Sequence, residues 1–178
     1  MIYLPQEDSY MLREWVEKLA KGDVLDVGTG TGIQAFAALP TSKRVVAIDI
    51  NPEAIEYAKN AVVFGDKQVE FRVGDLFSAI KKGEKFDLII FNPPYLPESK
   101  YDKSIETTGG RHGWETIDKF LKQAKKYLKP KGKILLLFSS FTGKDKVLSI
   151  VHKEDFKSKL LQKKHYSFED IFVYELSI

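Results

Sequence analysis

The stretch VLDVGTGTGIQAFAALPTSKRVVAIDI, residues 24–50, decides the fold class of this chain. It opens with a short apolar run at 24–27 that predicts a buried strand, and the glycine-rich GTGTG leads into a helix over 33–39. A second apolar run, RVVAIDI at 44–50, predicts another strand. A strand, a helix and a strand in this order are the unit from which parallel sheets are built.

The rest of the chain continues this alternation. Further strands are predicted at 69–73, 86–91 and 133–138, with helices over 8–22, from 51, over 114–128 and from 142, and a turn at 130–132. The last two runs, 156–166 and 170–176, predict an antiparallel hairpin at one edge of the sheet. We therefore predict an α/β fold with a seven-stranded, mostly parallel sheet and helices on both faces.

Two helix starts carry capping signals. In the first helix, Asp8 or Ser9 is the predicted N-cap and Gly22 the stop. Asn51 is the predicted cap of the third helix, because Pro52, which has no N–H to be satisfied, suits the first helical position. The first helix is amphipathic, with one apolar stripe formed by Met11, Leu12, Trp15, Val16 and Leu19.

Composition narrows the class of protein. A chain of 178 residues with 43% hydrophobic content predicts one globular domain. No apolar run approaches about 18 residues, so we expect no membrane span and a cytoplasmic location. The chain has no cysteine, and its histidines at 112, 152 and 165 lack ligand-like spacing, so no metal site is predicted. The net charge of +3 comes from lysines scattered among glutamates, which is typical of a solvated surface.

Polar or glycine-rich residues follow four consecutive predicted strands. Ligands of open α/β sheets bind outside the carboxyl ends of the strands, so these residues are expected to share one site. They are Asp26 with Gly28, Gly30 and Gly32, then Asp49, then Asp75 with Leu76, and finally Asn92, Pro93 and Tyr95.

The acidic residues in this set indicate the ligand. Residue 33 is isoleucine, so the loop departs from the dinucleotide fingerprint, and three carboxylates would repel a phosphate. S-adenosylmethionine instead offers donors to all three through its ammonium, ribose hydroxyls and adenine amine. Asp49 is placed for the ribose and Asp75 for the adenine, while the helix start after Gly32 suits the carboxylate. Each aspartate alone also fits an ordinary cap or turn, but four such strand ends favour a methyltransferase.

The segment Asn92-Pro93-Pro94-Tyr95 would stop any strand, because proline lacks an N–H and fixes φ. Taken alone it fits a stiff loop. In a methyltransferase, the Asn92 oxygen and the Pro93 carbonyl could each accept one N–H of a planar amine and aim its lone pair at the methyl group. Tyr95 would stack on the planar group.

The motifs VLDVGTGTG, AIDINPEAIEYAKNA, GDLF and FNPPY together resemble the HemK/PrmC family of protein-glutamine N5-methyltransferases. The opening YLPQEDSYML is similar to the archaeal and eukaryotic branch, which lacks the bacterial N-terminal helical domain, and TTGGRHGWETIDKFL resembles the family's Gly-Gly-x-x-Gly stretch. The resemblance implies a class I, Rossmann-like methyltransferase domain over 1–178, with 1–22 as a helix-bearing segment that covers the cofactor.

The same resemblance implies a substrate and residue roles. The family methylates the glutamine of the Gly-Gly-Gln motif in class 1 peptide-chain release factors. The implied contacts are Ser9, Asp26 and Gly28 at the methionine end of S-adenosylmethionine, Asp49 at the ribose, Asp75 and Leu76 at the adenine, and Asn92, Pro93 and Tyr95 at the target amide.

The resemblance also implies a partner. Members of this branch often work with a small zinc-binding activator protein that adds a strand to the sheet. The strand at 69–73, beside the apolar AVVF at 61–64, is the expected edge. An ordinary edge strand is the alternative.

Two other functions stay open from sequence. A nucleic-acid methyltransferase acting on adenine N6 or guanine N2 would use the same geometry, but such enzymes usually carry a recognition domain or a basic aromatic face. A catalytically silent cofactor-binding subunit would have little reason to keep the segment 92–95.

Overall fold

The computed structural model describes residues 2–61, 67–98, 107–166 and 168–178. These residues form seven strands and five α-helices, which alternate except that β4 directly follows β3 and β7 directly follows β6. The strands are β1 (Gly22–Val27), β2 (Ser42–Asp49), β3 (Val69–Val73), β4 (Phe86–Phe91), β5 (Leu128–Ser139), β6 (Lys157–Tyr166) and β7 (Glu169–Ser177). The helices are α1 (Glu7–Leu19), α2 (Ile33–Ala38), α3 (Pro52–Lys59), α4 (Glu115–Ala124) and α5 (Lys144–Lys153).

The strands form one sheet in the order β3-β2-β1-β4-β5-β7-β6. Neighbours from β3 to β5 pair in parallel, whereas β7 is antiparallel to both β5 and β6. The predicted mostly parallel sheet and its C-terminal hairpin at one edge are therefore confirmed, as is the edge position of β3.

Helices cover both faces because the inner strands are apolar on both sides. Val24 and Ile90 lie in the cluster that includes α1 and α2, whereas Leu25 and Ile89 lie in the cluster that includes α4 and α5. Side chains of a strand alternate between faces, so a continuous apolar run supplies two cores at once. Among the described residues, none of the helices is long and apolar enough to cross a membrane.

The predicted start of the first helix was wrong. α1 begins at Glu7 with Gln6 at the N-cap position, and no side chain caps it, so neither Asp8 nor Ser9 is the cap. The helix ends at Leu19, and Gly22 opens β1 with a φ of +66° instead of stopping the helix. Asp8 is instead turned inward, where Asn92 and Tyr95 donate to its carboxylate. The predicted cap of α3 is confirmed, since Asn51 Oδ1 accepts from the Glu53 N–H at 3.0 Å.

The predicted helix 114–128 and the turn at 130–132 also need correction. α4 ends at Ala124, a 3-10 turn covers Lys125–Tyr127, and β5 begins at Leu128. Residues 129–132 lie opposite Asp87 alone, so the expected turn is a bulge within β5. A proline has no N–H for a ladder, and a bulge tolerates it. The helix predicted from 142 begins at Lys144, after a 3-10 turn over Ser140–Thr142.

Candidate functional site

A cavity of about 440 Å³ opens at the carboxyl ends of β1, β2, β3 and β4. Its walls are the N-terminal segment, the glycine loop and the residues that follow each of these strands. Of the predicted site residues, the lining includes Ser9, Gly28, Gly30, Asp49, Asp75, Leu76, Asn92, Pro93 and Tyr95. Asp26 and Gly32 are not part of this wall. Parallel strands bring these segments together because their carboxyl ends meet at one edge of the sheet.

The glycine loop is tied to the end of β2. The Gly30 N–H donates to Asp49 Oδ2 at 2.8 Å, and the Thr29 N–H donates to the Ile48 carbonyl at 3.0 Å. Gly30 has a φ of +54°, a left-handed conformation that glycine adopts without strain. Asp49 Oδ1 accepts from the Asn51 N–H at 2.9 Å, so this carboxylate also fixes the start of α3.

Asp26 lies beneath the loop, on the α2 side of β1. Its side chain is 1% exposed, and Oδ2 accepts from Thr29 Oγ1 at 2.6 Å and from the Ala35 N–H at 3.1 Å. Burial raises the pKa of Asp26 to about 7, against the lowering effect of those two hydrogen bonds, and the charge of Asp49 raises it further. Asp26 therefore connects the glycine loop to α2.

The end of the third strand forms another part of the cavity wall. Asp75 is exposed at the cavity, and Leu76 beside it has a φ of +48°. A leucine in the left-handed region is strained, and such strain concentrates at functional sites. The Gly74 N–H donates to the Asp49 carbonyl at 2.9 Å, which joins this wall to the end of β2.

The segment after β4 presents a directed amide. Asn92 Nδ2 donates to Asp8 Oδ2 at 3.2 Å, and the Tyr95 hydroxyl donates to the same oxygen at 3.2 Å. Asn92 Oδ1 is buried and has no hydrogen-bond partner among the described residues. A buried acceptor without a partner is costly, so it indicates a donor that a ligand supplies.

Asp8 is the residue that the sequence prediction misassigned. Its side chain is 5% exposed, and its Oδ1 accepts from the Tyr3 hydroxyl at 3.0 Å and from the Ser9 N–H at 2.6 Å. A sequence signal for this role existed, because Asp8 precedes Met11 and Leu12 by three and four residues and so falls on the apolar stripe of α1. A charged residue on a buried stripe needs partners, and Asn92 and Tyr95 are two of them.

The loop behind Asn92 is held by the glycine-rich stretch before α4. The Leu96 N–H donates to the Thr107 carbonyl at 3.0 Å, and the Gly109 N–H donates to the Leu96 carbonyl at 2.9 Å. Thr142 Oγ1 donates to the Tyr95 carbonyl at 2.9 Å. The sequence prediction assigned no role to Thr142. Residues 99–106 of the loop at 96–108 lie outside the described part.

The surroundings of Tyr95 exclude this residue as a catalytic base. Burial raises the pKa of Tyr95 further above its ordinary value of 10.0, and the nearby Asp8 adds to the shift. Tyr95 is therefore a hydrogen-bond donor at neutral pH and takes no proton. Within the described ranges, no three or more histidine, aspartate or glutamate side chains form a group that could hold a metal ion.

Comparison with known proteins identifies the family to which the chain belongs. Residues 7–167 match the profile of the Methyltransferase small domain family. The chain is 34% identical to a protein of Methanocaldococcus jannaschii named putative protein N5-glutamine methyltransferase, over 97% of this chain and 89% of that protein. It is 37% identical to the release factor glutamine methyltransferase of Koribacter versatilis, over 76% of this chain but only 54% of that longer relative.

A solved structure resembles the whole chain. It is that of E. cuniculi Mtq2 in complex with Trm112, described as responsible for methylation of the translation termination factor eRF1. It superposes with a TM-score of 0.80 and 25% identity over 98% of this chain and 97% of that one.

Proposed function

Since the chain belongs to the HemK/PrmC family of protein-glutamine methyltransferases, we propose that it methylates a glutamine side-chain nitrogen. The proposed target is the glutamine in the Gly-Gly-Gln motif of a class 1 peptide-chain release factor. The chain has the class I methyltransferase fold. One observation carries the proposal. The Nδ2 of Asn92 donates to Asp8, while its buried Oδ1, beside the rigid pair Pro93 and Pro94, has no hydrogen-bond partner in the part of the chain that the structure describes.

The cavity suits S-adenosylmethionine. Its volume of about 440 Å³ lies in the range of small-molecule sites, roughly 300–1,000 Å³. Asp49 would accept from the ribose hydroxyls and Asp75 from the adenine amine, with the Leu76 backbone beside it. When bound, S-adenosylmethionine supplies an electrophilic methyl group on a sulfonium.

The methionine end would lie against Ser9 and Gly28, which line the cavity. Asp26 would support this end, because it fixes the loop through Thr29 and α2 through Ala35. Gly32 would act in the same indirect way, since it stands at the N-cap of α2.

The acceptor end is where the chain's own residues do the chemical work. An amide nitrogen is a poor nucleophile because its lone pair is delocalised, and orientation is the available remedy. Asn92 Oδ1 and the Pro93 carbonyl would each accept one N–H of the target amide, which aims the nitrogen lone pair into the cavity. Orientation of this kind accounts for about 7 to 11 kcal/mol of a barrier in favourable cases. These acceptors bind more strongly as the nitrogen gains positive charge, so they favour the transition state. Tyr95 would flank the amide while its hydroxyl stays on Asp8.

A small activator protein is the proposed partner, at the edge strand Val69–Val73. In the described part of the chain β3 pairs with β2 alone, so its other side is free to accept an added strand. The similar Mtq2 was solved in complex with Trm112, which supports a partner of this kind. The proposed partner binds zinc itself, and none is assigned to this chain. Residues 62–64 of the apolar AVVF lie outside the described residues.

The test is a labelling experiment with methyl-labelled S-adenosylmethionine. Separate reactions contain a class 1 release factor, the same factor with its Gly-Gly-Gln glutamine changed to alanine, ribosomal RNA and DNA. Each is run with and without the small activator protein. We expect label only in the unchanged release factor. Label in RNA or DNA, or in the factor without that glutamine, would contradict the proposal.

Asn92→Ala isolates the catalytic corner within the same assay. It should lower kcat by at least about a hundredfold, because an orienting acceptor is lost, and leave the affinity for S-adenosylhomocysteine within a few-fold. Asn60→Ala is the control, because Asn60 ends α3 and does not line the cavity. Unchanged turnover of the Asn92 variant would remove this residue from the mechanism.

A further inference from the structure

The orientation of the Asn92 side-chain amide determines whether its oxygen or its NH₂ group faces the cavity. An asparagine side chain carries a donor group and an acceptor oxygen on one planar unit, and a half-turn about the last bond exchanges them. The two orientations have nearly the same shape, so packing alone does not choose between them. Hydrogen-bond partners do.

Asp8 supplies the partner that makes this choice. A carboxylate only accepts hydrogen bonds, so the group that Asn92 turns toward Asp8 Oδ2 is the Nδ2 donor, at 3.2 Å. The opposite orientation would set the Asn92 oxygen against a buried carboxylate oxygen, with two acceptors facing each other. Asn92 Oδ1 is therefore turned away from Asp8, and there it is buried and has no partner among the described residues.

Asp8 is itself held in one orientation. Its Oδ1 accepts from the Ser9 N–H at 2.6 Å and from the Tyr3 hydroxyl at 3.0 Å, which leaves Oδ2 for Asn92 and Tyr95. All of these partners donate, and the side chain is 5% exposed. A fully bonded buried carboxylate of this kind is a rigid reference for the groups that face it.

We propose that Asp8 is a positioning residue that fixes the polarity of the active site, turning the acceptor oxygen of Asn92 toward the target nitrogen. This inference rests on the proposed function, because an amide nitrogen with two N–H groups needs an acceptor opposite it. If Nδ2 of Asn92 faced the target instead, donor would meet donor and the substrate would be repelled from the productive orientation. Asp8 acts through Asn92 and touches no reacting atom.

Asp8→Asn tests the inference with almost no change of shape. The Ser9 N–H and the Tyr3 hydroxyl would hold the oxygen of the introduced amide, so its NH₂ would face Asn92. Asn92 would then turn its oxygen inward and its NH₂ toward the substrate. We expect kcat to fall about a hundredfold, while the affinity for S-adenosylhomocysteine, measured by calorimetry, stays within about threefold.

Glu7→Gln is the matched control. It makes the same chemical change one residue away, in the same turn of α1, but Glu7 is exposed and does not line the cavity. Its kcat should stay close to that of the unchanged protein.

A swapped pair separates positioning from a merely structural role. In Asp8→Asn combined with Asn92→Asp, the introduced NH₂ donates to the new carboxylate, whose second oxygen again faces the substrate as an acceptor. We expect the double variant to recover at least about tenfold in kcat over Asp8→Asn alone, a coupling that independent sites do not show.

A spectroscopic measurement needs no substrate. The chain contains three asparagines, Asn51, Asn60 and Asn92, so ¹⁵N-asparagine labelling gives three side-chain NH₂ signals. The Asn92 signal, identified by its loss in Asn92→Ala, should stay in place in Glu7→Gln. In Asp8→Asn it should shift, and there it is distinguished from the fourth signal of the introduced asparagine by its loss when Asn92→Asp is added.

Specific results of these experiments would contradict the role of Asp8. A kcat of Asp8→Asn within about threefold of the unchanged protein would overturn the inference, as would a parallel loss of cofactor affinity and thermal stability. If the unchanged protein labels no release factor, the proposed function fails, and the NMR signal then decides on Asp8 alone. An Asn92 signal that does not move in Asp8→Asn would overturn the inference in that case as well.

Discussion

At the scale of single residues, the site depends on two buried carboxyl groups with different surroundings. Asp8 is surrounded by donors from several segments, whereas Asp26 has the Thr29 hydroxyl and the Ala35 N–H. Burial is the largest influence on Asp26 and raises its pKa to about 7, from an ordinary value of 3.8. The folded protein therefore binds a proton at Asp26 more tightly than the unfolded chain does.

This difference predicts a pH dependence of stability. Because the pKa of Asp26 is raised on folding, its contribution is fully present below about pH 4 and is lost as the pH rises toward 7. Asp26→Asn mimics the protonated form, so the free energy of unfolding of the unchanged protein should fall relative to this variant by up to roughly 4 kcal/mol over that window. Urea unfolding at pH 4, 5.5, 7 and 8 measures it. Asp145→Asn, at an exposed position, is the control, and parallel curves for Asp26→Asn would refute the assignment.

At the scale of elements, the catalytic segment owes its shape to a neighbouring loop. The Glu98 N–H donates to the Gly110 carbonyl at 3.1 Å, and Leu96 bridges to Thr108. A Cβ added to Gly113 would lie 2.5 Å from the Tyr95 carbonyl oxygen. The backbones of the two loops approach so closely that only glycine fits between them.

Two glycine substitutions test this packing. Gly113 and Gly83 have nearly the same φ, +88° and +86°, but nothing lies within 4 Å of a Cβ added to Gly83. Gly83→Ala should therefore cost only the left-handed strain, about 1 to 2 kcal/mol. Gly113→Ala should cost more in urea unfolding and also lower kcat by about tenfold or more, because the Tyr95 carbonyl must move. Equal effects of the two substitutions on stability and kcat would show that the loop contact does not control the site.

At the scale of the whole molecule, the cavity exists only when the chain is folded. The N-terminal segment, the glycine loop and three further strand ends each supply one part of its wall. A ligand that bridges these parts binds the folded state and not the unfolded chain, so its binding free energy adds to stability.

Cofactor binding should therefore raise the melting temperature. S-adenosylhomocysteine at one hundred times its Kd should add about 2.7 kcal/mol, which is about 5 to 11 °C for a domain of this size. Asp75→Ala should lose most of this shift at the same concentration, because the proposed acceptor for the adenine amine is absent. Asp145→Ala should keep it. Differential scanning calorimetry measures these shifts in melting temperature. An undiminished shift in Asp75→Ala would remove Asp75 from the cofactor site.

Much of the fold was predictable because its signals are local. The strands at 69–73 and 86–91 have the predicted bounds. The first alternates apolar and charged residues, the second is mostly apolar, and polar or glycine-rich residues flank both. The bulge in β5 was mistaken for a turn because Pro130 and Gly132 favour both, and only the pairing of β4 with β5 distinguishes them.

The sequence by itself determined the sheet, its parallel core and the set of polar residues at four strand ends. Hydrophobic periodicity and the glycines and prolines between elements are signals that act over a few neighbouring residues. Tertiary structure alone decided which of those residues line the cavity and which support it from behind, as Asp26 does. It also decided the role of Asp8, whose partner Asn92 is 84 residues away in the chain. The direction of a hydrogen bond depends on which groups the folded backbone brings together, and no local pattern encodes it.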